Sequence, residues 1–144
     1  MLPLHGAYSA SKFGMEAVSD ALRLELRQWR IAVSHIDPGA TETAIFGKTL
    51  TAIDQIEKTL GEEGHPEYDG QISGIRRLVE KTAAGAAPVD DLSKTVVKAL
   101  TAKKPKSRYL AGHGAEAAVA LARAATDGVK DRAVLKEAHL PPPD

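Results

Sequence analysis

Gly6-Ala-Tyr8-Ser-Ala-Ser-Lys12-Phe-Gly-Met-Glu-Ala-Val-Ser-Asp-Ala-Leu-Arg-Leu-Glu-Leu26, followed by Ile31-Ala-Val-Ser-His-Ile-Asp37-Pro38-Gly39, is the stretch that decides the fold. Over residues 6–30, Glu16, Asp20, Arg23, Arg27 and Arg30 recur every three or four positions and form one polar stripe. Phe13, Met15, Val18, Leu22, Leu24, Leu26 and Trp29 fill the rest of the circumference with small residues between them. An apolar arc that wide predicts a helix buried on more than one side, against a sheet and also a second element or subunit. Residues 31–37 are a short run rich in β-branched side chains, stopped by Pro38-Gly39, which predicts a buried strand rather than more helix.

Three helical patterns and a second strand lie beyond this point. Leu50, Ile53, Ile56 and Leu60 share one face, with Gly61 as the expected terminator. Ile72, Ile75, Leu78 and Val79 make a second pattern. Leu92, Val96, Ala99 and Leu100 make a third, within a helix over 88–103 whose Asp90-Asp91 suits the positive helix start. After Pro105, residues 107–111 read as a strand, residues 115–138 as alanine-rich helices broken near Gly128, and 141–144 as a proline tail. The expectation is an α/β chain, mostly helical with about two parallel strands. Two parallel strands do not make a self-sufficient sheet, so the chain reads as part of a larger α/β fold.

Composition narrows the function classes. The 144 residues carry 19 basic and 19 acidic side chains, with 43% apolar and 26% charged residues, as in one soluble globular domain. Zero net charge gives no electrostatic reason to expect a nucleic-acid partner. The longest apolar run, residues 117–125, is far short of the roughly 20 residues of a membrane span and contains Arg123. The first residues lack the basic and apolar regions of a secretion signal, so a cytoplasmic location is expected. Cysteine and asparagine are both absent, which removes disulfides, thiol catalysis and a catalytic Asn within these residues.

Tyr8 and Lys12 carry the chemistry. On a helix, residues four apart share a face, with Cβ atoms about 5–6 Å apart. An ammonium so placed favours phenolate, the form that accepts a proton from an alcohol. The spacing alone also fits a chance pair at an amphipathic helix start. The five histidines, at 5, 35, 65, 113 and 139, are too scattered to predict a metal site. Gly112-His-Gly114-Ala-Glu-Ala117 imitates a dinucleotide fingerprint, but no strand with a terminal acid follows it, so a glycine-flanked helix start is the better reading.

The surroundings of Tyr8 resemble the classical short-chain dehydrogenase/reductase family. The Tyr-x-x-x-Lys pair, the long helix, the strand and Pro38-Gly39-Ala40-Thr41-Glu42-Thr43 stand in that family's order and spacing. The resemblance is strong over residues 3–43 and looser to about residue 112. It implies the C-terminal half of a Rossmann-like doubly wound fold, occupying residues 1–140 as part of a single domain. It implies Tyr8 as general acid/base, and Lys12 as the group that holds the nicotinamide ribose and favours phenolate. Pro38 and Gly39 would shape the turn under the nicotinamide, with the Thr41 backbone and Thr43 hydroxyl at its carboxamide. Residues 44–87 would be a substrate lid, whose apolar side chains suit a bulky lipophilic alcohol or carbonyl compound.

The family's glycine-rich phosphate turn and catalytic serine belong before the tyrosine, and only seven residues precede Tyr8 here. Two readings follow. One is an NAD- or NADP-dependent alcohol/carbonyl oxidoreductase, this chain lacking the cofactor-binding half, with homo-oligomers formed through helix 6–30. The other is an inactive truncated fragment that acts at most as a self-association module.

Overall fold

The computed structural model describes residues 3–112, 115, 119–120 and 124–140. Helix α1 (Gly6–Glu25) passes through a 3-10 turn, Leu26–Trp29, to strand β1 (His35–Pro38). Helix α2 (Ile45–Glu63), a 3-10 turn at Pro66–Tyr68, α3 (Asp69–Ala84) and α4 (Val89–Thr101) then lead to β2 (Arg108–Ala111), and α5 (Asp127–Glu137) follows. The two strands pair in parallel, with His35 opposite Arg108 and Pro38 opposite Ala111. Parallel neighbours need a long crossover, and here it carries α2, α3 and α4. The result is the expected α/β arrangement, a partial Rossmann-like layer dominated by helix.

Several boundaries differ from the sequence expectation. The strand is residues 35–38 rather than 31–37, because its partner enters the ladder only at Ser107, whose carbonyl accepts the His35 N–H at 2.8 Å. Residues 31–34 have no facing strand among the described residues, and Ile31 is exposed. The first helix closes at Glu25, and Arg30 turns the chain in the left-handed region (φ 58°). The second helix continues past Gly61 to a left-handed Gly64 (φ 77°), where the His65 N–H closes a six-to-one bond on the Leu60 carbonyl. Helix α4 spans 89–101 rather than 88–103, and Leu100, expected on its packed face, is 81% exposed. Among residues 113–126, Ala115, Val119, Ala120 and Ala124 are helical and Ala125 and Thr126 are not, while residues 113–114, 116–118 and 121–123 and the tail 141–144 lie outside the described residues.

Burial of α1 is the largest departure. None of its residues is buried, and Leu24 (64% exposed) and Trp29 just beyond it (62%) face outward. Among the described residues, no second helix or further strand lies opposite that arc. Polar contacts tie α1 to the sheet instead. Arg108 of β2 pairs with Glu16 of α1, and its other guanidinium nitrogen donates to Asp37 of β1 at 2.6 Å. Asp37 also meets His35 Nε2 at 2.8 Å, and His35 Nδ1 lies 3.2 Å from the Ser19 hydroxyl.

The core lies between α2 and α3. Ile53, Ile72, Ile75 and Val79 are buried together, with Phe46, Leu50 and Leu60 packed on them. Their three- and four-residue spacing puts one apolar stripe on each helix. At the rim Arg76 of α3 donates to Asp54 and to Glu57 of α2, each at 2.7 Å. The Asp54 hydrogen bond is the main reason the Arg76 guanidinium is held above its ordinary pKa.

Helix α5 closes on α3 where α3 has no side chain. A Cβ on Gly74 would fall inside contact distance of the Ala138 carbonyl oxygen and 3.3 Å from Leu140 Cδ2. Lys81 of α3 pairs with Glu137 of α5 beside it, holding that carboxyl below its usual range. Gly74→Ala should therefore lower stability, since overpacking against backbone costs about 1–3 kcal/mol and outweighs the helix-propensity gain of at most about 1 kcal/mol. Gly70→Ala on the same helix meets nothing within 4 Å and should be neutral or slightly stabilising. Thermal melts of the two variants check this, and equal midpoints would mean that α5 does not close on α3.

Candidate active site

Tyr8 stands in the first turn of α1, where the Ser9 N–H bonds the His5 carbonyl at 2.8 Å and begins the helix. One turn on, the Lys12 ammonium lies 5.4 Å from the centre of the Tyr8 ring. That is within reach of a favourable cation–π contact. His5 meets the same ring edge-on, with centroids 6.2 Å apart. The Tyr8 hydroxyl makes no hydrogen bond among the described residues, and the residue is about half exposed.

Facing this helix start is the turn that ends β1. The Gly39 N–H bonds the Ala111 carbonyl at 2.7 Å, so β2 fixes the turn's first residue. The Thr41 hydroxyl donates to the Gly39 carbonyl at 3.0 Å, and Thr41 is buried. The stretch before α4 holds the other side. The Ala87 N–H donates to the Ala40 carbonyl at 2.9 Å, and the Glu42 N–H to the Ala87 carbonyl at 2.8 Å. Five consecutive residues, 38–42, are thus shaped by backbone from two distant segments, while the Thr43 hydroxyl has no hydrogen-bond partner among the described residues.

Both parts border one cleft of about 660 Å³. All six residues singled out from the sequence line it: Tyr8, Lys12, Pro38, Gly39, Thr41 and Thr43. The opposite wall is apolar, formed by Phe46, Ile53, Ile56, Ile75 and Leu78 among others. The volume and the apolar lining with a few convergent polar groups are those of a small-molecule site. Arg108 sets the relation of the two parts. Its partner Glu16 lies one turn beyond Lys12, and its partner Asp37 immediately precedes Pro38.

The sequence did not mark Leu4, His5, Lys48 or Leu92 as cleft residues, yet all four border it. His5 carried a signal, being three residues before Tyr8 and so on its helix face. Lys48 carried one too, as a cation between Phe46 and Leu50 in the apolar lid pattern. Leu50, expected among the lid residues, packs on the core instead.

The chemistry of the donor set suits the nicotinamide end of a dinucleotide. Lys12 offers an ammonium to hydroxyls, Thr43 a free hydroxyl, and Gly39 a wall without a side chain. Nothing among the described residues before Tyr8 offers a glycine-rich turn for the phosphates. No helix among the described residues is long and apolar enough to cross a membrane.

Residues 1–54 match the family model described as short chain dehydrogenase. Among curated proteins, the chain is 33% identical over 108 residues to the NADPH-dependent 3-dehydrocapnine reductase of Ornithobacterium rhinotracheale, covering 75% of this chain and 36% of that protein. It is 36% identical over 117 residues to 17-beta-hydroxysteroid dehydrogenase type 6 of Rattus norvegicus, covering 74% and 35% respectively. With the mitochondrial D-beta-hydroxybutyrate dehydrogenase of Bos taurus it shares 35% identity over 111 residues, covering 71% and 32%. The chain therefore spans about a third of the length of the curated relatives it matches. No solved structure matches it at a significant level.

Proposed function

We propose that this chain, which belongs to the short-chain dehydrogenase/reductase family, supplies the proton-transfer and nicotinamide-facing part of an NAD(P)-dependent oxidoreductase that interconverts an alcohol and a carbonyl. The observation that carries this reading is the single cleft onto which Tyr8, Lys12 and the 38–43 turn all open.

The residues divide the work as follows. Lys12 and Thr43 would hold the nicotinamide riboside, with Pro38, Gly39 and the Thr41 backbone shaping the floor beneath it. When bound, the reduced nicotinamide supplies the hydride that adds to the carbonyl carbon. The Tyr8 hydroxyl gives its proton to the carbonyl oxygen, completing the alcohol. The Lys12 ammonium steadies the phenolate left behind, which regains its proton from solvent. In oxidation the phenolate takes the alcohol proton. The apolar wall from α2 and α3 excludes water and accepts a lipophilic body. A cytoplasmic location and homo-oligomers through residues 6–30, whose apolar arc is open, belong to the same reading.

A second reading has its own observation. The uncovered apolar arc of α1, on a chain whose match covers about a third of its relatives' length, also fits an inactive self-association module. One experiment separates the two. The chain is joined, ahead of Gly6, to the part of the rat relative that precedes the matched region, and folding is checked by circular dichroism. The folded fusion should consume NADH or NADPH when given aldehydes or ketones. The 144-residue chain alone should do neither this nor bind either cofactor in a calorimetric titration, since the pyrophosphate normally rests on a glycine-rich helix start. A folded fusion without turnover would favour the association module. Micromolar binding to the isolated chain would move the cofactor site elsewhere.

A further inference from the structure

We propose that the ligand of the cleft carries one anionic group on an apolar body, and that Lys48 is the residue that recognises the anion. The inference rests on the oxidoreductase reading only in treating that ligand as the substrate.

Charge in the cleft is one-sided. Among the described residues no aspartate or glutamate lines it, while Lys12, Lys48 and His5 do. Two of these three already have local partners. The Lys12 ammonium lies over the Tyr8 ring, and His5 Nδ1 lies 3.3 Å from the Pro3 carbonyl oxygen. Lys48 has neither hydrogen bond nor ion pair through its side chain among the described residues. No carboxylate stands three or four positions from it on its own helix, where such pairs form, and the nearest ones along α2, Asp54 and Glu57, are paired with Arg76. Nor does the helix itself account for a cation there. Lys48 stands in the first turn of α2, where the backbone dipole opposes positive charge and where no acidic residue compensates.

The rest of the wall is hydrocarbon. Phe46, two positions before Lys48, and Ile53 and Ile56 beyond it continue the same helix along the cleft, with Ile75 and Leu78 supplied by α3. A neutral lipid alcohol would satisfy these side chains and leave Lys48 idle. An inorganic anion would satisfy Lys48 and leave the apolar wall wet. An amphipathic monoanion, such as an oxo or hydroxy acid with a hydrocarbon body, satisfies both while presenting its reacting oxygen to Tyr8.

The test reads binding to the 144-residue chain, not turnover, so it stands apart from the fate of the oxidoreductase reading. Decanoate and decanol share a hydrocarbon body and differ in charge. Isothermal titration should show decanoate binding about tenfold more tightly, the scale of a hydrogen bond to a charged group. Lys48→Met should remove that preference and leave decanol unchanged, and Lys48→Arg should restore it. Equal affinities in the parent chain, or a preference that survives Lys48→Met, would overturn the proposal. So would displacement of decanoate by inorganic pyrophosphate at equal concentration, which would assign Lys48 to the diphosphate of a dinucleotide. Unchanged far-ultraviolet circular dichroism of both variants separates these outcomes from loss of fold, because Lys48 is exposed and its removal breaks no side-chain hydrogen bond or ion pair among the described residues.

Discussion

Tyr8→Phe, placed in the fusion that carries the nucleotide-binding part, is expected to lower carbonyl reduction by about 10²–10⁴-fold, the range for loss of a positioned general acid. Among the described residues, the other helix hydroxyls that line the cleft, those of Thr49 and Thr82, are donated to the Ile45 and Leu78 carbonyls. Thr43 has one, but at neutral pH it is far too weak an acid to replace a phenol, and the Thr41 hydroxyl is already given to the Gly39 carbonyl. The proton is transferred only in the transition state, so kcat and kcat/KM should fall together and KM should barely move. Stability should not change, because the Tyr8 hydroxyl bonds nothing among the described residues and the ring keeps its contacts with His5 and Lys12. Steady-state consumption of the reduced nicotinamide measures the first effect and a thermal melt the second. Turnover within a few-fold of the parent would remove Tyr8 from the reaction, whatever the cleft binds.

The part of this site that could be read in the sequence is the part made by short-range geometry. Tyr8 and Lys12 share a face because helical residues four apart must. The spacing of Leu50, Ile53 and Leu60, and of Ile72, Ile75 and Val79, likewise placed two apolar stripes that pack on each other. Contacts between distant segments left no such trace. The strand's extent is set by where Ser107 enters the ladder, and nothing within residues 31–38 records that. Arg108 reaches Glu16 and Asp37 across 92 and 71 positions, so its role in holding the two halves of the site is invisible to any local pattern. Ala87 is similar, since its backbone, not its side chain, anchors the turn at Ala40 and Glu42. Leu100 failed in the opposite direction. Its spacing fits α4's apolar face, but the described residues place nothing against it. Periodicity states which side of a helix is able to be buried, and only a partner decides whether it is.

Ile75→Ala should give the largest loss of stability of any substitution considered, about 2–5 kcal/mol, the range for truncating a buried isoleucine. Ile75 has 0% of its surface exposed and stands in the middle of the cluster formed by Ile53, Ile72 and Val79. Removing its distal carbons forfeits their transfer free energy and leaves space that the neighbours fill only in part, because α2 and α3 are also held at fixed spacing by Arg76 with Asp54 and Glu57. The loss is large against a typical domain stability of about 5–15 kcal/mol, and larger in proportion here, where the buried apolar cluster is small and α1 adds no buried residue to it. Leu100→Ala is the matched control. It removes a similar volume of hydrocarbon from a position 81% exposed and should change stability by no more than about 0.5 kcal/mol. Urea titrations followed by circular dichroism compare the two. A shift of the Ile75→Ala midpoint no greater than that of Leu100→Ala would mean that the α2–α3 cluster does not hold the fold together. In that case stability would have to come from the sheet, where the Glu16–Arg108–Asp37 bridge joins α1 to both strands.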